Sequence, residues 1–201
     1  TRRSSELTSI AVVGTIQSTL GGSDWDPSDP TTEMHDVDED GVYMFQCFLP
    51  AGYYEYKVAL NDKWGGDYPS SNVILTVPEG GKTVLFLADN NNKVVKDSIN
   101  DAPTAVQRYV LFKYYRPEGD YDGWNIWVWG TGKMDDQIDF TEFRNGYAIA
   151  KIQVSNTNER IGFKLRKGTD WSVVDQDFDR YIETKDLVVT KVTVTAGQAE
   201  F

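Results

Sequence analysis

The chain has 201 residues, 40% hydrophobic and 25% charged, with Lys+Arg 20 against Asp+Glu 31 and a formal net charge of −11. That composition is globular, and no apolar run approaches the roughly 20 residues of a membrane-crossing helix. The charge repels phosphate backbones and anionic lipid, which makes nucleic acid and membrane surfaces poor partners, disfavours anionic polysaccharides and leaves neutral ligands open. A single cysteine, Cys47, precludes an intrachain disulfide, and a single histidine, His35, excludes zinc sites built from several His or Cys ligands.

At the start, Thr1–Ser5 lack the apolar h-region of a signal peptide. Together with an end at Phe201 directly after strand-like sequence, this reads as a fragment cut from a longer protein. Short runs rich in Val, Ile, Tyr, Phe and Thr then alternate with Gly, Pro, Asn and Asp clusters, the pattern of β-sandwiches and barrels. Strands are predicted near 8–16, 42–49, 53–60, 72–77, 82–88 and 93–98, and again near 108–116, 125–130, 147–154, 160–167 and 187–195. Trp25, in a Gly-Ser-Asp-rich stretch, reads as a structural plug. Asp36-Val37-Asp38-Glu39-Asp40-Gly41 resembles the start of a calcium loop. Its twelfth position is Cys47 where a bidentate Glu is required, so a turn into the strand at Val42 is the expectation, with no metal or other cofactor. The polar, Pro-containing stretch from Asn100 to Ala105 reads as a linker. The fold expected is all-β: two tandem immunoglobulin-like β-sandwich domains, 1–102 and 103–201.

Aromatic residues make up 13% of the chain, with 6 Trp and 11 Tyr. Trp124-Asn125-Ile126-Trp127-Val128-Trp129 uses them most informatively. Side chains alternate across a strand, so Trp124, Ile126 and Val128 share one face and Asn125, Trp127 and Trp129 the other. The two outward indoles then lie roughly 7 Å apart, a spacing on which neighbouring sugar rings can stack. The competing reading is a central strand covered on both faces, but a two-layer sandwich buries only one face of each sheet. An electron-rich indole suits the apolar C–H face of a pyranose. Trp171 lies in polar sequence between Lys167 and Asp175, where a ligand contact competes with a sandwich-end plug. Asp179 supplies a carboxylate to accept from sugar hydroxyls.

In the first half, Trp64 follows a strand in the Gly-containing stretch Asn61–Tyr68. A weak internal echo links the halves: Trp64 stands seven residues after Lys57, as Trp171 stands seven after Lys164. A first-domain site would therefore use Trp64, with Lys57 and Asn61 beside it; the alternative for Trp64 is a loop anchor. No Gly-rich phosphate loop or nucleophile elbow is present. Two sandwiches of this size also leave little chain for the deep cleft of a carboxylate-pair hydrolase.

Tyr114-Tyr115-Arg116-Pro117-Glu118-Gly119-Asp120-Tyr121-Asp122-Gly123-Trp124-Asn125-Ile126-Trp127-Val128-Trp129 resembles carbohydrate-binding module family 41, whose signature is Y-(H/Y)-R-x-(D/E)-G-x-Y-D-G-W-N-L-W-x-W. The stretches Ile161-Gly162-Phe163, with Arg166, and Asp179–Glu183 match later blocks of that family, so the resemblance covers about 107–201. It implies a β-sandwich that binds α-1,4-glucan, with stacking on Trp127, Trp129 and Trp171 and an acceptor at Asp179. The family's lysine three residues after the last Trp is replaced by Val174, and Lys164 or Lys167 is the candidate substitute.

Residues 8–100 resemble the pullulanase-type X module, family 25, on Gly21–Pro27, Leu49–Asn61 and Trp64. This implies starch binding around Trp64 and carries over no further contact residue. Together the resemblances imply a non-catalytic, monomeric fragment that binds starch, glycogen, pullulan or maltooligosaccharides. Its parent would be a bacterial amylase or pullulanase, secreted or attached to the cell surface. The alternatives are an adhesin-like or structural spacer using its aromatic surface for protein contacts, and a small hydrolase.

Overall fold

A computed structural model describes residues 6–101 and 107–201. The N-terminal Thr1–Ser5 and most of the expected linker, with the 102/103 boundary, lie outside the described residues. The chain divides into two compact units, 1–104 and 105–201.

In the first unit the strands are β1 (Ile10–Gly14), β2 (Val42–Leu49), β3 (Gly52–Leu60), β4 (Lys63–Val77), β5 (Lys82–Asp89) and β6 (Val94–Asp97). They form two sheets, ordered β1-β3-β4 and β2-β5-β6. Alternation decides what goes inside: β3 turns Tyr54, Tyr56 and Val58 to the core, β2 turns Phe45 and Leu49, and β5 turns Val84, Phe86 and Ala88. The sheets meet where the Tyr56 ring stands edge-on to Phe86, with centroids 4.9 Å apart. The buried Tyr56 hydroxyl donates to Asp97 at 2.8 Å, so this aromatic is buried without an orphaned polar atom. Burial and the Asp97 carboxylate both push its pKa far above the usual phenol range.

The second unit contains β7 (Arg108–Tyr115), β8 (Trp124–Trp129), β9 (Asp136–Asp139), β10 (Glu142–Arg144), β11 (Tyr147–Val154), β12 (Arg160–Lys167), β13 (Arg180–Glu183) and β14 (Val189–Thr195). One sheet runs β10-β11-β7-β14 and the other β13-β12-β8-β9. Pairing is antiparallel except between β14 and β7, which run parallel. Phe112 of β7 and Phe163 of β12 meet edge to face across the layers at 5.0 Å. Around them pack Val110, Tyr114, Ile126, Val128, Ile152 and Leu165. Each such side chain contributes about 1.5–3 kcal/mol by leaving water.

The two all-β sandwiches expected from the sequence are therefore present, with corrections in detail. Trp64 is not a loop residue. Strand β4 begins at Lys63, directly after the two-residue turn Asn61-Asp62, in which both residues take positive φ (57° and 55°). Its Gly65-Gly66 and Pro69 read as loop sequence, but register shifts between β3 and β4 absorb the irregularity. Strands β9, β10 and β13 were not expected. They are short and polar, and each pairs at the edge of a four-stranded sheet. The Asp36–Gly41 stretch is a turn into β2, in which the Asp36 carboxylate accepts from the Asp40 and Gly41 amides.

Candidate functional site

Strand β8 places its side chains as the alternation requires. Ile126 and Val128 are buried in the core, with Trp124 packed against it, while Trp127 and Trp129 are half-buried on the outer face. Register with β12 sets what lies beside each outer residue: Gly162 opposite Trp129, Lys164 opposite Trp127, and Arg166 opposite Asn125. Each of the three β12 residues has a distinct part in shaping the surface.

Gly162 lets Trp129 lie flat across the neighbouring strand, since a Cβ there would stand 2.1 Å from the indole Cε2. On its far side Trp129 meets the Tyr181 ring edge-on at 6.0 Å, and Tyr181 is covered by the Arg160 guanidinium at 4.2 Å.

Arg166 is 4% exposed, and its guanidinium sits 4.7 Å from the Trp127 ring centre and 4.5 Å from that of Trp171. It donates to Asn125 Oδ1 at 3.2 Å and to Gln137 Oε1 at 3.0 Å. A buried cation between two indoles fixes both rings at once. Trp127 and Trp171 meet at an interplanar angle of 80° with centres 5.9 Å apart. In the sequence Arg166 stands out only as a match to the family 41 pattern. Its position on the same face as Gly162 and Lys164 was the available signal.

Lys164 donates to the Asp177 carbonyl at 2.8 Å and pairs with Asp179 at 3.2 Å. Trp127, Trp129, Trp171, Lys164 and Asp179, with Asp135, line one open groove of about 380 Å³. Trp171 is 50% exposed at its rim. Lys167 is not among the groove's lining. It lies opposite Trp124 on the other parity of β12 and pairs with Asp120 at 3.3 Å. Of the two candidates for the missing family lysine, only Lys164 stands in the groove. Val174 forms an isolated bridge with Arg166, beside the groove.

The loop carrying Trp171 and Asp179 is anchored from beneath. Asp175 and Arg180, each 3% exposed at the side chain, pair at 2.9 Å. Asp175 also accepts from the Tyr114 hydroxyl at 3.1 Å and the Gly197 amide at 2.9 Å. Arg180 donates to the Gln198 carbonyl at 3.1 Å.

In the first unit the candidates occupy the β3–β4 hairpin. Asn61 serves the turn: its Oδ1 accepts from the Thr8 amide at 2.7 Å and the Thr8 hydroxyl at 3.1 Å. Lys57 donates to Asp67 at 2.5 Å, a bond that holds the Asp67 carboxyl below the usual carboxylate range. Trp64 is 45% exposed.

The described residues thus form two β-sandwiches, one bearing a tryptophan-lined groove on the outer face of a sheet. Residues 9–95 match the family model "Pullulanase X25 domain", and residues 108–201 match "Bacterial pullanase-associated domain". The resemblance to pullulanase modules thus holds over both halves, each matched by its own family model. The chain is 37% identical over 90 residues to an amylopullulanase of Thermoanaerobacterium saccharolyticum, covering 41% of this chain and 7% of that protein. An amylopullulanase of Thermoanaerobacter thermohydrosulfuricus is 40% identical over 95 residues, covering 46% and 6%. The chain thus spans under a tenth of these curated relatives. Among solved structures, one described as α-glucan recognition by family 41 carbohydrate-binding modules from streptococcal virulence factors aligns with a TM-score of 0.39 and 14% identity. That alignment covers 100% of this chain and 92% of that one.

Proposed function

We propose that the second domain binds α-1,4-linked glucan in the Trp127–Trp129–Trp171 groove. On this reading the chain is a non-catalytic, monomeric part of a secreted or surface-attached amylase or pullulanase that it holds to starch, glycogen or pullulan. The observation that carries the reading is the pair of half-buried indoles on one outer face, with a third indole rising at 80° beside them. Pyranose C–H faces stack on the indoles, the Lys164 ammonium donates to ring hydroxyls, and Asp179 accepts from them. The family-model match and the amylopullulanase relatives support the same substrate class.

Affinity electrophoresis in gels with and without amylopectin tests the reading. The wild-type chain is expected to be retarded, and Trp127→Ala and Trp129→Ala to lose roughly 5–150-fold in affinity, the worth of about 1–3 kcal/mol for an aromatic stack. Both variants should melt near the wild-type temperature, because both rings lie outside the core. Unchanged migration of the wild type in amylopectin would reject glucan binding and favour a structural spacer. Release of reducing sugar by the purified chain would contradict the non-catalytic assignment.

The first domain is proposed to bind the same polymer through Trp64 and Lys57, with Asn61 shaping the turn between them rather than contacting sugar.

A further inference from the structure

A second hollow of about 460 Å³ is lined in part by Gly168 and Thr169 of the loop that carries Trp171. Its walls include the rings of Tyr121, Trp124, Phe140 and Phe143, and the carboxylates of Asp122 and Asp139 border it. Phe143 is 62% exposed, an unusual surface position for so apolar a ring, and rests against Tyr121 with centres 5.7 Å apart. Asp139 is exposed and accepts from the Gln137 side-chain Nε2 at 2.8 Å. Aromatic walls with carboxylate acceptors at the mouth are the chemistry that recognises a sugar ring, by C–H stacking and hydroxyl donation.

Arg166 joins this hollow to the tryptophan groove. Arg166 touches Trp127 and Trp171 on the groove side and hydrogen-bonds Asn125 and Gln137, which line the hollow. Gly168 and Thr169 face the hollow from the same loop that presents Trp171 to the groove. Along β8, Asn125 is one outward step, roughly 7 Å, from Trp127.

We propose that the Phe143–Asp139 hollow is an additional saccharide subsite, taking further glucose units of the same α-glucan that occupies the tryptophan groove. The proposal rests on the groove's assignment to glucan. A chain long enough to pass the Trp171 loop gains the second set of contacts, and a short one does not.

Isothermal titration of the whole chain with maltotriose and maltoheptaose separates the two assignments. Phe143→Ala and Asp139→Ala are the variants, with Trp127→Ala as the groove control and melting curves to establish folding. Phe143→Ala is expected to weaken maltoheptaose about fivefold or more, the lower end of a lost aromatic stack, while maltotriose stays within about twofold of wild type. Asp139→Ala should move the same way through loss of an acceptor, and it keeps the test alive if Phe143→Ala misfolds. Folded variants that bind maltoheptaose like wild type, with Trp127→Ala impaired, would overturn the subsite and leave the groove standing. Equal weakening of both sugars would also overturn it, since the hollow would then not discriminate chain length. Failure of the wild type to bind either sugar would remove the groove assignment and this one with it.

Discussion

Single residues set the shape of this surface in ways their chemistry alone does not announce. Gly162 has no side chain to offer, yet it is the bed on which Trp129 lies. We expect Gly162→Ala to lift the indole and weaken maltoheptaose binding toward the level of Trp129→Ala. The melting temperature should fall far less than for a core substitution; titration and melts on the one variant check both. An unchanged affinity would show that the ring finds an equivalent pose. Trp124 behaves oppositely. It packs on Tyr114 at 5.9 Å and carries the Arg116 guanidinium at 4.2 Å. Trp124→Ala should therefore cost about 3 kcal/mol of stability, the low end for an aromatic because the ring is only half-buried. Val174 stands where the family pattern has a lysine. Because Lys164 already stands in the groove, Val174→Lys is expected to leave maltoheptaose affinity within about twofold by titration; a gain of about 0.5–1.5 kcal/mol, the worth of an added hydrogen bond, would show that Lys164 does not fill the role.

At the scale of elements, the loop 168–179 depends on a buried ion pair for its position. Removing one member leaves the other charge uncompensated, at a cost of about 3–5 kcal/mol. Asp175→Asn should therefore lower the melting temperature and also detach Trp171 and Asp179 from the groove. A variant that melted lower but bound maltoheptaose unchanged would show that the loop needs no such anchor. Strand period explains how much of this was legible in the sequence. Strand β8 declares both of its faces, since Ile126 and Val128 alternate with Trp127 and Trp129. The same parity rule, applied to β12, separates Lys164 from Lys167. Strand β9 stayed hidden because Asp136, Gln137 and Asp139 carry no apolar signal, and β13 because its buried members include Arg180, whose type is usually exposed. The role of Arg166 is hidden for the same reason: a buried arginine is indistinguishable in sequence from a surface one until its neighbours are known.

For the whole molecule, the net charge of −11 constrains behaviour more than any contact does. A neutral oligosaccharide releases no counterions, so maltoheptaose affinity should be nearly the same at low and high NaCl. A steep loss with salt would point to an anionic ligand and remove the starch reading. Two sites on one chain would also act together on an insoluble polymer, where linkage can raise retention by roughly 100-fold when both engage. Pull-down on granular starch with residues 1–104, residues 105–201 and the whole chain is expected to show binding by both parts and stronger retention of the whole. If the first part stays in the supernatant and the whole chain binds no better than the second part, Trp64 is structural.

The near-perpendicular setting of Trp127 and Trp171 has a consequence for selectivity. A β-1,4-linked glucan is a flat ribbon whose ring faces stay parallel, so it can rest on one of these indoles but not follow the turn to the next. An α-1,4-linked chain winds, and successive residues tilt their faces. Because the Arg166 guanidinium lies against both rings, the angle is built in before any sugar arrives, and on the proposed reading no closure around the ligand is needed to tell an α-linked from a β-linked glucan. Cellohexaose should accordingly bind far more weakly than a maltooligosaccharide of the same length, and freeing the rings by Arg166→Ala should narrow that difference.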